Sequence, residues 1–340
     1  MRFALTAEQL DFAASLRKMC EAAKTPATVR AWGDGNASAG KALIRQLAEA
    51  GALGLTTSED NGGFGAGPVE LMVACTEIGR AAVPGPLVET AAAIPALLQA
   101  LPDSAKAAEW LPGFAEGAAL GTIALPAPGT TGEPIALDAD IADVVLVASG
   151  DRVSLATPHE RIRSVDAARR LFPVAESAVV AEGDGVRAAI ESGFDAGALA
   201  AAAQLLGAGR ALLDTSVDYV KQRQQFGKPI GQYQAIKHLL ANVLIGLDMA
   251  QPLLYRAALS LQDGSPTASR DISAAKLACG EAAYQAARTA LQVHGAIGYT
   301  AEFDLSLWIT KVTALRSAWG TAEFHRARIA AALRAEGVNA

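Results

Sequence analysis

The stretch Arg223-Gln-Gln-Phe226-Gly227-Lys-Pro229-Ile-Gly231-Gln-Tyr-Gln234 separates two long apolar segments of the chain. The segment before it, Gly197–Gln222, is rich in alanine and leucine, which favour helix. The segment after it repeats apolar residues at helical spacing: Ile236, Leu240, Val243, Leu244 and Leu247. Because the cluster of glycine and proline breaks a helix, the sequence predicts a polar connection between two long helices, with Arg223 near the end of the first.

The polar side chains of this stretch suit an anionic ligand with an aromatic part. Arginine carries a planar fork of five donors, which fits a diphosphate better than lysine does. Phe226 offers an aromatic surface, and the Gln234 amide can bond to hydroxyls or ring nitrogens. A second stretch, Gln292-Val-His294-Gly295-Ala-Ile-Gly298-Tyr-Thr, adds another amide and glycines that permit close backbone approach. By itself Arg223 would be read as a surface ion-pair residue, and His294 suits packing as well as ligand contact.

The first segment, residues 1–118, is predicted to be helical. Thr6 is a candidate N-cap, and Lys41–Ala50 places Leu43, Ile44, Leu47 and Ala48 on one face. The glycine-rich loop Asn61–Gly67 precedes Pro68, which starts the helix Val69–Arg80. No strand precedes this loop, so a structural turn is favoured over a phosphate cradle.

The middle segment, residues 119–183, changes to a period of two and is predicted to be a small β-domain. Asp143–Thr157 forms a hairpin around Gly150-Asp151, and Ser177–Ala181 is a further strand. The third segment, residues 184–340, returns to helix as a four-helix bundle: Gly197–Gln222, a helix from Gln232, Asp271–Val293 and Thr321–Arg334. The predicted fold class is therefore mainly α with a small β-domain.

The composition limits the possible partners. The chain has 340 residues, of which 51% are hydrophobic, and a net charge of −6 without a block of lysine and arginine, so neither nucleic acid nor an anionic membrane is expected. The apolar stretch Ala196–Leu213 contains Gln204 and Arg210 and is predicted to be a core helix. No signal-peptide pattern is visible, and three scattered cysteines suit a reducing cytoplasm. The four histidines show no metal-ligand spacing, so no metal site is predicted.

The order of segments and the two polar stretches resemble the acyl-CoA dehydrogenase family over essentially the whole chain. Thr6-Ala-Glu8-Gln9 and Glu49-Ala-Gly51-Ala-Leu-Gly54 resemble its N-terminal helices. The resemblance implies FAD as cofactor, seated mainly in a neighbouring chain and contacted across a subunit interface by five residues of this one: Arg223, Phe226, Gln234, Gln292 and Gly295. One departure is Ala296, where the family usually has a second glycine.

The same resemblance shows what this chain lacks. The family removes the substrate α-proton with a glutamate at one of two positions, and here these hold Trp319 and Gly197. A family arginine that meets CoA falls at Ala198. Neither indole nor glycine can act as a general base, so no catalytic residue is predicted. The β-domain is also short, and Leu125–Gly132 is only a remnant of a family flavin loop.

These features predict the non-catalytic subunit of a heteromeric, FAD-dependent acyl-CoA dehydrogenase, most simply α2β2. A homologous catalytic chain would supply the base and most CoA contacts for α,β-dehydrogenation of an acyl-CoA thioester, with a steroid side-chain thioester as the expected substrate. A separate acceptor would take the electrons. Two alternatives stay open: a self-sufficient homomer with Glu323 as a displaced base, and a flavin-free scaffold.

Overall fold

The computed structural model describes residues 4–103, 105–129 and 132–337. The α-helices in chain order are α1 (Ala7–Ala22), α2 (Thr25–Gly33), α3 (Ser38–Glu49), α4 (Pro68–Arg80), α5 (Ile94–Ala100), α6 (Ala105–Ala115), α7 (Val186–Gln222), α8 (Gln234–Gln262), α9 (Ala268–His294), α10 (Leu305–Ser317) and α11 (Ala322–Ala335). The strands are β1 (Gly121–Ala124), β2 (Ile135–Leu137), β3 (Val144–Ser149), β4 (Arg152–Pro158), β5 (Leu171–Glu182), β6 (Gln224–Gln225) and β7 (Lys228–Pro229). A π-helical turn, Glu89–Ala93, leads into α5.

The N-terminal helices follow the sequence pattern closely. The Thr6 hydroxyl accepts a hydrogen bond from the Gln9 amide at 3.2 Å, and the Gln9 side chain accepts one from the Thr6 amide at 2.9 Å. This reciprocal pair is a capping box. The glycine-rich loop is packed rather than open, because a Cβ on Gly63 would lie 2.2 Å from the Thr57 carbonyl oxygen. The loop therefore has a structural role, as expected.

The β-domain is a five-stranded sheet in the order β1-β3-β4-β5-β2. β1 and β3 are parallel and the other pairs are antiparallel. The predicted hairpin is confirmed as β3 and β4. The predicted strand Ser177–Ala181 is too short, since β5 already begins at Leu171 and pairs there with β2. Pro173 reads as a strand breaker, but its neighbours Phe172 and Val174 are buried in the sheet core.

In the third segment, α7, α8, α9 and α10 pack together and α11 lies against α9. α7 begins at Val186 rather than at Gly197. Gly193 lies within this helix and serves close packing. A Cβ there would lie only 2.9 Å from the Ala93 carbonyl oxygen. α10 was not predicted, and Leu244 is 43% exposed instead of buried.

α7 forms the centre of the molecule. It is long and apolar enough to cross a membrane, but 89% of its most apolar window is buried within the fold. Its crossing with α4 is very close, since a Cβ on Gly207 would lie 1.9 Å from the Thr76 carbonyl oxygen. The apolar length of α7 is thus used in packing against other helices.

The predicted fold class, mainly α with a small β-domain, is confirmed by this arrangement. The segment boundaries 1–118, 119–183 and 184–340 stay a prediction. Within the predicted loop remnant Leu125–Gly132, Thr130 and Thr131 lie outside the described residues.

Candidate functional site

The connection between α7 and α8 is a small hairpin. β6 and β7 pair antiparallel, with Gln225 opposite Lys228. The two residues between them, Phe226 and Gly227, have φ values of 51° and 79°. Two consecutive positive φ angles are the mark of a type I′ turn, which joins antiparallel strands tightly. The Ile230 amide donates to the Arg223 carbonyl at 2.8 Å and closes the hairpin onto the end of α7.

Phe226 stands at the tip of this hairpin and is 92% exposed. Glycine, asparagine or aspartate normally occupies such a left-handed position, because a bulky side chain is strained there. Packing within this chain does not explain an exposed aromatic ring in a strained conformation. The hairpin therefore presents Phe226 outward, toward something other than its own fold.

Arg223 and Gln234 flank the hairpin and are both exposed. Arg223 follows the last residue of α7, and its amide donates to the Tyr219 carbonyl at 2.9 Å. Across residues 4–103, 105–129 and 132–337, neither side chain has a hydrogen-bond partner and the guanidinium has no ion pair. The fork of donors is thus available to an external anion.

The end of α9 lies beside the end of α7. The Tyr219 and His294 rings stack with centroids 4.1 Å apart, and His294 Nδ1 lies 2.8 Å from the Ala290 carbonyl oxygen. Burial lowers the pKa of His294, although the bond to Ala290 opposes that shift. This ring is therefore a packing element between two helices.

Gln292 and Gly295 lie on the outer side of this junction and are exposed. Gly295 has a φ of 66°, and a Cβ built there would have no atom within 4 Å. Its backbone is therefore open to close approach. The structure brings all five predicted cofactor residues to one end of the helical bundle, while their contacts with FAD stay a prediction.

Trp319 and Gly197, the two positions that the sequence resemblance assigns to the family's base, touch each other. A Cβ on Gly197 would lie 2.4 Å from Cε3 and Cζ3 of the Trp319 ring. Trp319 is only 8% exposed, so the indole fills the space that a side chain at position 197 would need. No proton acceptor is present at either position.

The loop that carries Trp319 is anchored by two residues that sequence reasoning missed. The Lys276 ammonium, buried in α9, donates to the Leu315 carbonyl at 3.1 Å and to the Arg316 carbonyl at 3.3 Å, at the C-terminus of α10. His325 Nε2 lies 2.9 Å from the Trp319 carbonyl oxygen. The spacing Thr321-x-x-x-His325 is the only signal that could have indicated an inward-facing imidazole in the first turns of α11.

Burial shifts the pKa values of both anchors. Desolvation lowers the pKa of Lys276 to about 7. Desolvation, followed by the nearby Lys276 charge, lowers the pKa of His325 to about 4. Since neutral His325 donates from Nε2 to a carbonyl, its Nδ1 accepts from the Ser273 hydroxyl, 3.1 Å away.

Glu323, the alternative base, lies in the first turn of α11 and is exposed. Bonds from its own amide and from the Thr321 hydroxyl lower the pKa of its carboxyl group. Both observations fit a solvated carboxylate that stabilises a helix N-terminus. The charged form of Glu323 is thus favoured, and its role as a displaced base stays a prediction.

A buried charged cluster, also unpredicted, lies where the three segments meet. Glu89, Asp166, Arg169, Gln204 and Lys311 line a cavity of about 10 Å³, enough for one water molecule. Lys311 donates to the Val83 carbonyl at 2.8 Å. No group of histidine, cysteine and carboxylate side chains in the described ranges could hold a metal ion.

Two family models match the chain: the acyl-CoA dehydrogenase N-terminal domain over residues 6–118 and the C-terminal domain over residues 183–334. The acyl-CoA dehydrogenase IpdE2 of Mycobacterium tuberculosis is 32% identical over 84% of this chain and 85% of its own length. The chain belongs to the acyl-CoA dehydrogenase family. The resemblance drawn from the sequence is thereby confirmed.

Solved structures of acyl-CoA dehydrogenases share the fold over nearly their full length. A variant of the Tcur3481–Tcur3483 steroid acyl-CoA dehydrogenase is 25% identical with a TM-score of 0.84, and the match covers 97% of this chain and 98% of that one. The ChsE4–ChsE5 complex of Mycobacterium tuberculosis is 21% identical with a TM-score of 0.85, and the match covers 98% and 99%. At 21% identity, the match to the ChsE4–ChsE5 complex shows a shared fold alone.

Proposed function

We propose that this chain is the non-catalytic subunit of a heteromeric, FAD-dependent acyl-CoA dehydrogenase and completes the flavin site of a homologous catalytic chain. The observation that carries the proposal is a contrast between the C-terminal end of α7 and the N-terminal half of that helix. At the first, Arg223, Phe226 and Gln234 point outward without partners in the described structure. At the second, Trp319 and Gly197 fill each other's space and leave no base.

The residues at the bundle end fit FAD by their chemistry. The free Arg223 fork suits the diphosphate, and the amides of Gln234 and Gln292 suit hydroxyls and ring nitrogens. The open backbone at Gly295 permits a ligand to approach closely. Bound FAD supplies the hydride acceptor that α,β-dehydrogenation requires. In this proposal the present chain binds and orients, whereas the partner holds the proton-accepting group.

A surface on α8 supports a partner that is another member of the family. Ile245, Met249 and Leu253 are 59%, 68% and 41% exposed and recur at i, i+4 and i+8 on one face of the helix. We call them the α8 stripe. It runs along the same helix that begins at Gln234, so a chain whose flavin meets Gln234 would also cover the stripe. Apolar side chains grouped in this way are typical of protein interfaces.

The relatives support the assembly and the substrate class. The steroid acyl-CoA dehydrogenase at 25% identity is named for two components, Tcur3481 and Tcur3483. IpdE2 is similar to this chain along most of the length of both proteins. We therefore propose an α2β2 assembly that acts on a bulky, steroid-type acyl-CoA thioester and passes electrons to a separate acceptor.

Co-expression with a catalytic homologue tests the proposal. We expect one FAD per pair of chains, and we expect the Arg223→Ala variant to lose FAD while the pair stays assembled. Removing a charge-assisted contact costs about 1.5–3 kcal/mol, which corresponds to a roughly 10- to 100-fold weaker flavin affinity. Arg187→Ala, an exposed arginine in the first turn of α7 at the other end of that helix, is the matched control.

The measurements are flavin absorbance per assembly and FAD affinity by titration of the apo-complex. Undiminished FAD affinity in Arg223→Ala would contradict the cross-interface role. A yellow, active protein obtained from this chain alone would overturn the proposal altogether.

A further inference from the structure

The contact between Trp319 and Gly197 is a matched pair rather than two separate losses. With the indole in place, even a methyl group at position 197 would lie 2.4 Å from the ring, well inside van der Waals contact. Conversely, removing the indole would leave an indole-sized space over a helix face that has no side chain. The Trp319 ring therefore fits only because position 197 has no side chain, and the bare helix face at Gly197 is covered only because the ring is there.

The backbone is shaped to hold the indole in that position. Trp319 has a φ of 58° and the next residue, Gly320, a φ of 95°. A left-handed tryptophan is strained, and such strain persists only where the surroundings fix it. Here the fixing contact is the bond between His325 Nε2 and the Trp319 carbonyl oxygen, and the buried Lys276 holds the preceding end of α10.

Aromatic rings complete the surroundings of Trp319. Its centroid lies 6.2 Å from that of Phe194, and Phe194 meets Phe324 edge-on at 5.4 Å. We define the indole seat as Phe194, Gly197, Phe324 and His325. Its walls are apolar or neutral, because the pKa of His325 is far below 7.

We propose that Trp319 permanently occupies this chain's own acyl chamber, and that the indole seat is a ligand site kept shut by a side chain. The seat accepts a planar, uncharged aromatic group of indole size once that side chain is removed. Its reading as an acyl chamber rests on the proposed function. It explains why an assembly of this type would have one thioester site per pair of chains rather than two.

Cavity complementation tests the seat directly. In the full chain, in whatever assembly it purifies, Trp319→Ala should lower the melting temperature, and free indole should restore part of the loss in a saturable manner. Apolar cavities made by truncation bind matching apolar molecules in this way. Trp110→Ala on α6 is the control, because Trp110 is partly exposed and its loss leaves no enclosed space, so indole should not restore it.

A second pair of variants keeps the test decisive if the truncated seat collapses. Gly197→Ala should destabilise the wild-type chain, because the methyl group meets the ring. In the Trp319→Ala background the same change should stabilise, since alanine favours a helix more than glycine does. This reversal of sign in the melting temperature is the expected result.

Equal effects of Gly197→Ala in both backgrounds would overturn the proposal, with or without a response to indole. None of these measurements uses flavin, thioester or a catalytic partner. A negative result for the indole seat therefore does not count against the proposed function. In the same way, a negative flavin titration does not count against the indole seat.

Discussion

Glu89 shows at the scale of one residue how burial can make a carboxyl group sensitive to pH. It lies in the π-helical turn before α5, is 4% exposed, and its Oε2 has no hydrogen-bond partner among the described residues. Desolvation raises its pKa from 4.5 to about 7, and the charge of Arg169 offsets part of that shift. The folded chain therefore binds this proton more tightly than the unfolded chain does.

We predict that Glu89→Gln removes a pH dependence of stability. Between pH 4.5 and about 7 the folded wild type carries more protons than the unfolded chain, so its free energy of unfolding falls as the pH rises through this window. The neutral glutamine lacks this effect. Relative to the variant, the wild type should lose on the order of 3 kcal/mol across the window.

Denaturant unfolding of both proteins at a series of pH values measures the difference. Glu191→Gln, an exposed glutamate on α7, is the control. A difference between wild type and Glu89→Gln that does not change with pH would show that Glu89 keeps an ordinary acidity in the folded state.

The residues that sequence reasoning found and missed at this scale differ in one respect. Arg223, Phe226 and Gln234 were singled out because the glycine- and proline-rich connection that contains them resembles a flavin-contacting segment of the family. Lys276 and His325 were not, since each sits in an ordinary helical pattern and faces inward only because of what lies opposite. Their roles depend on a tertiary contact that a single sequence does not encode locally.

At the scale of elements, the β6–β7 hairpin combines a strained turn with an exposed ring. A type I′ turn favours asparagine followed by glycine, yet this chain has phenylalanine followed by glycine. Phenylalanine therefore stands in place of the preferred turn residue and presents an aromatic surface. Such a departure from local preference is typical of functional positions.

We predict that Phe226→Asn stabilises the chain slightly, by about 0.5–1 kcal/mol, because asparagine tolerates the left-handed conformation. In the co-expressed assembly the same variant should retain less FAD, since the outward ring is lost. Thermal melting of the chain and flavin content of the complex give the two readouts. Destabilisation together with full flavin retention would mean that the ring serves packing and not the cofactor.

The hydrophobic periodicity of the sequence predicted some helices and strands but was insufficient for others. α3, α4 and the β3–β4 hairpin were predicted from amphipathic pattern, caps and turn residues. The first turns of α7 were missed because glycines that permit close packing look the same in sequence as glycines that end a helix. α10 was missed because its polar residues, such as Lys311, bond inward and obscure the apolar face.

At the scale of the whole molecule, the α8 stripe predicts dependence on a partner. The double variant Ile245→Glu with Met249→Glu should prevent assembly with the catalytic homologue, because the two added carboxylates would have to be buried without counter-charges. Both positions are exposed in the chain alone, so the fold itself should be little affected. Val179→Glu, an exposed valine on β5, should leave assembly intact.

Size-exclusion chromatography with light scattering distinguishes the outcomes. A double variant that still forms the full complex would remove the α8 stripe from the interface. Loss of assembly with Val179→Glu as well would indicate that any added negative charge disfavours association.

The crossing of α4 and α7 limits how this molecule can move. Two helices whose backbones touch at Gly207, with no side chain between them, cannot slide past each other or tilt without breaking van der Waals contact. This close crossing therefore opposes hinge opening between the first and last thirds of the chain. In the assembly proposed above, flavin exchange would then be limited by the parting of subunits, a first-order step whose rate does not depend on protein concentration.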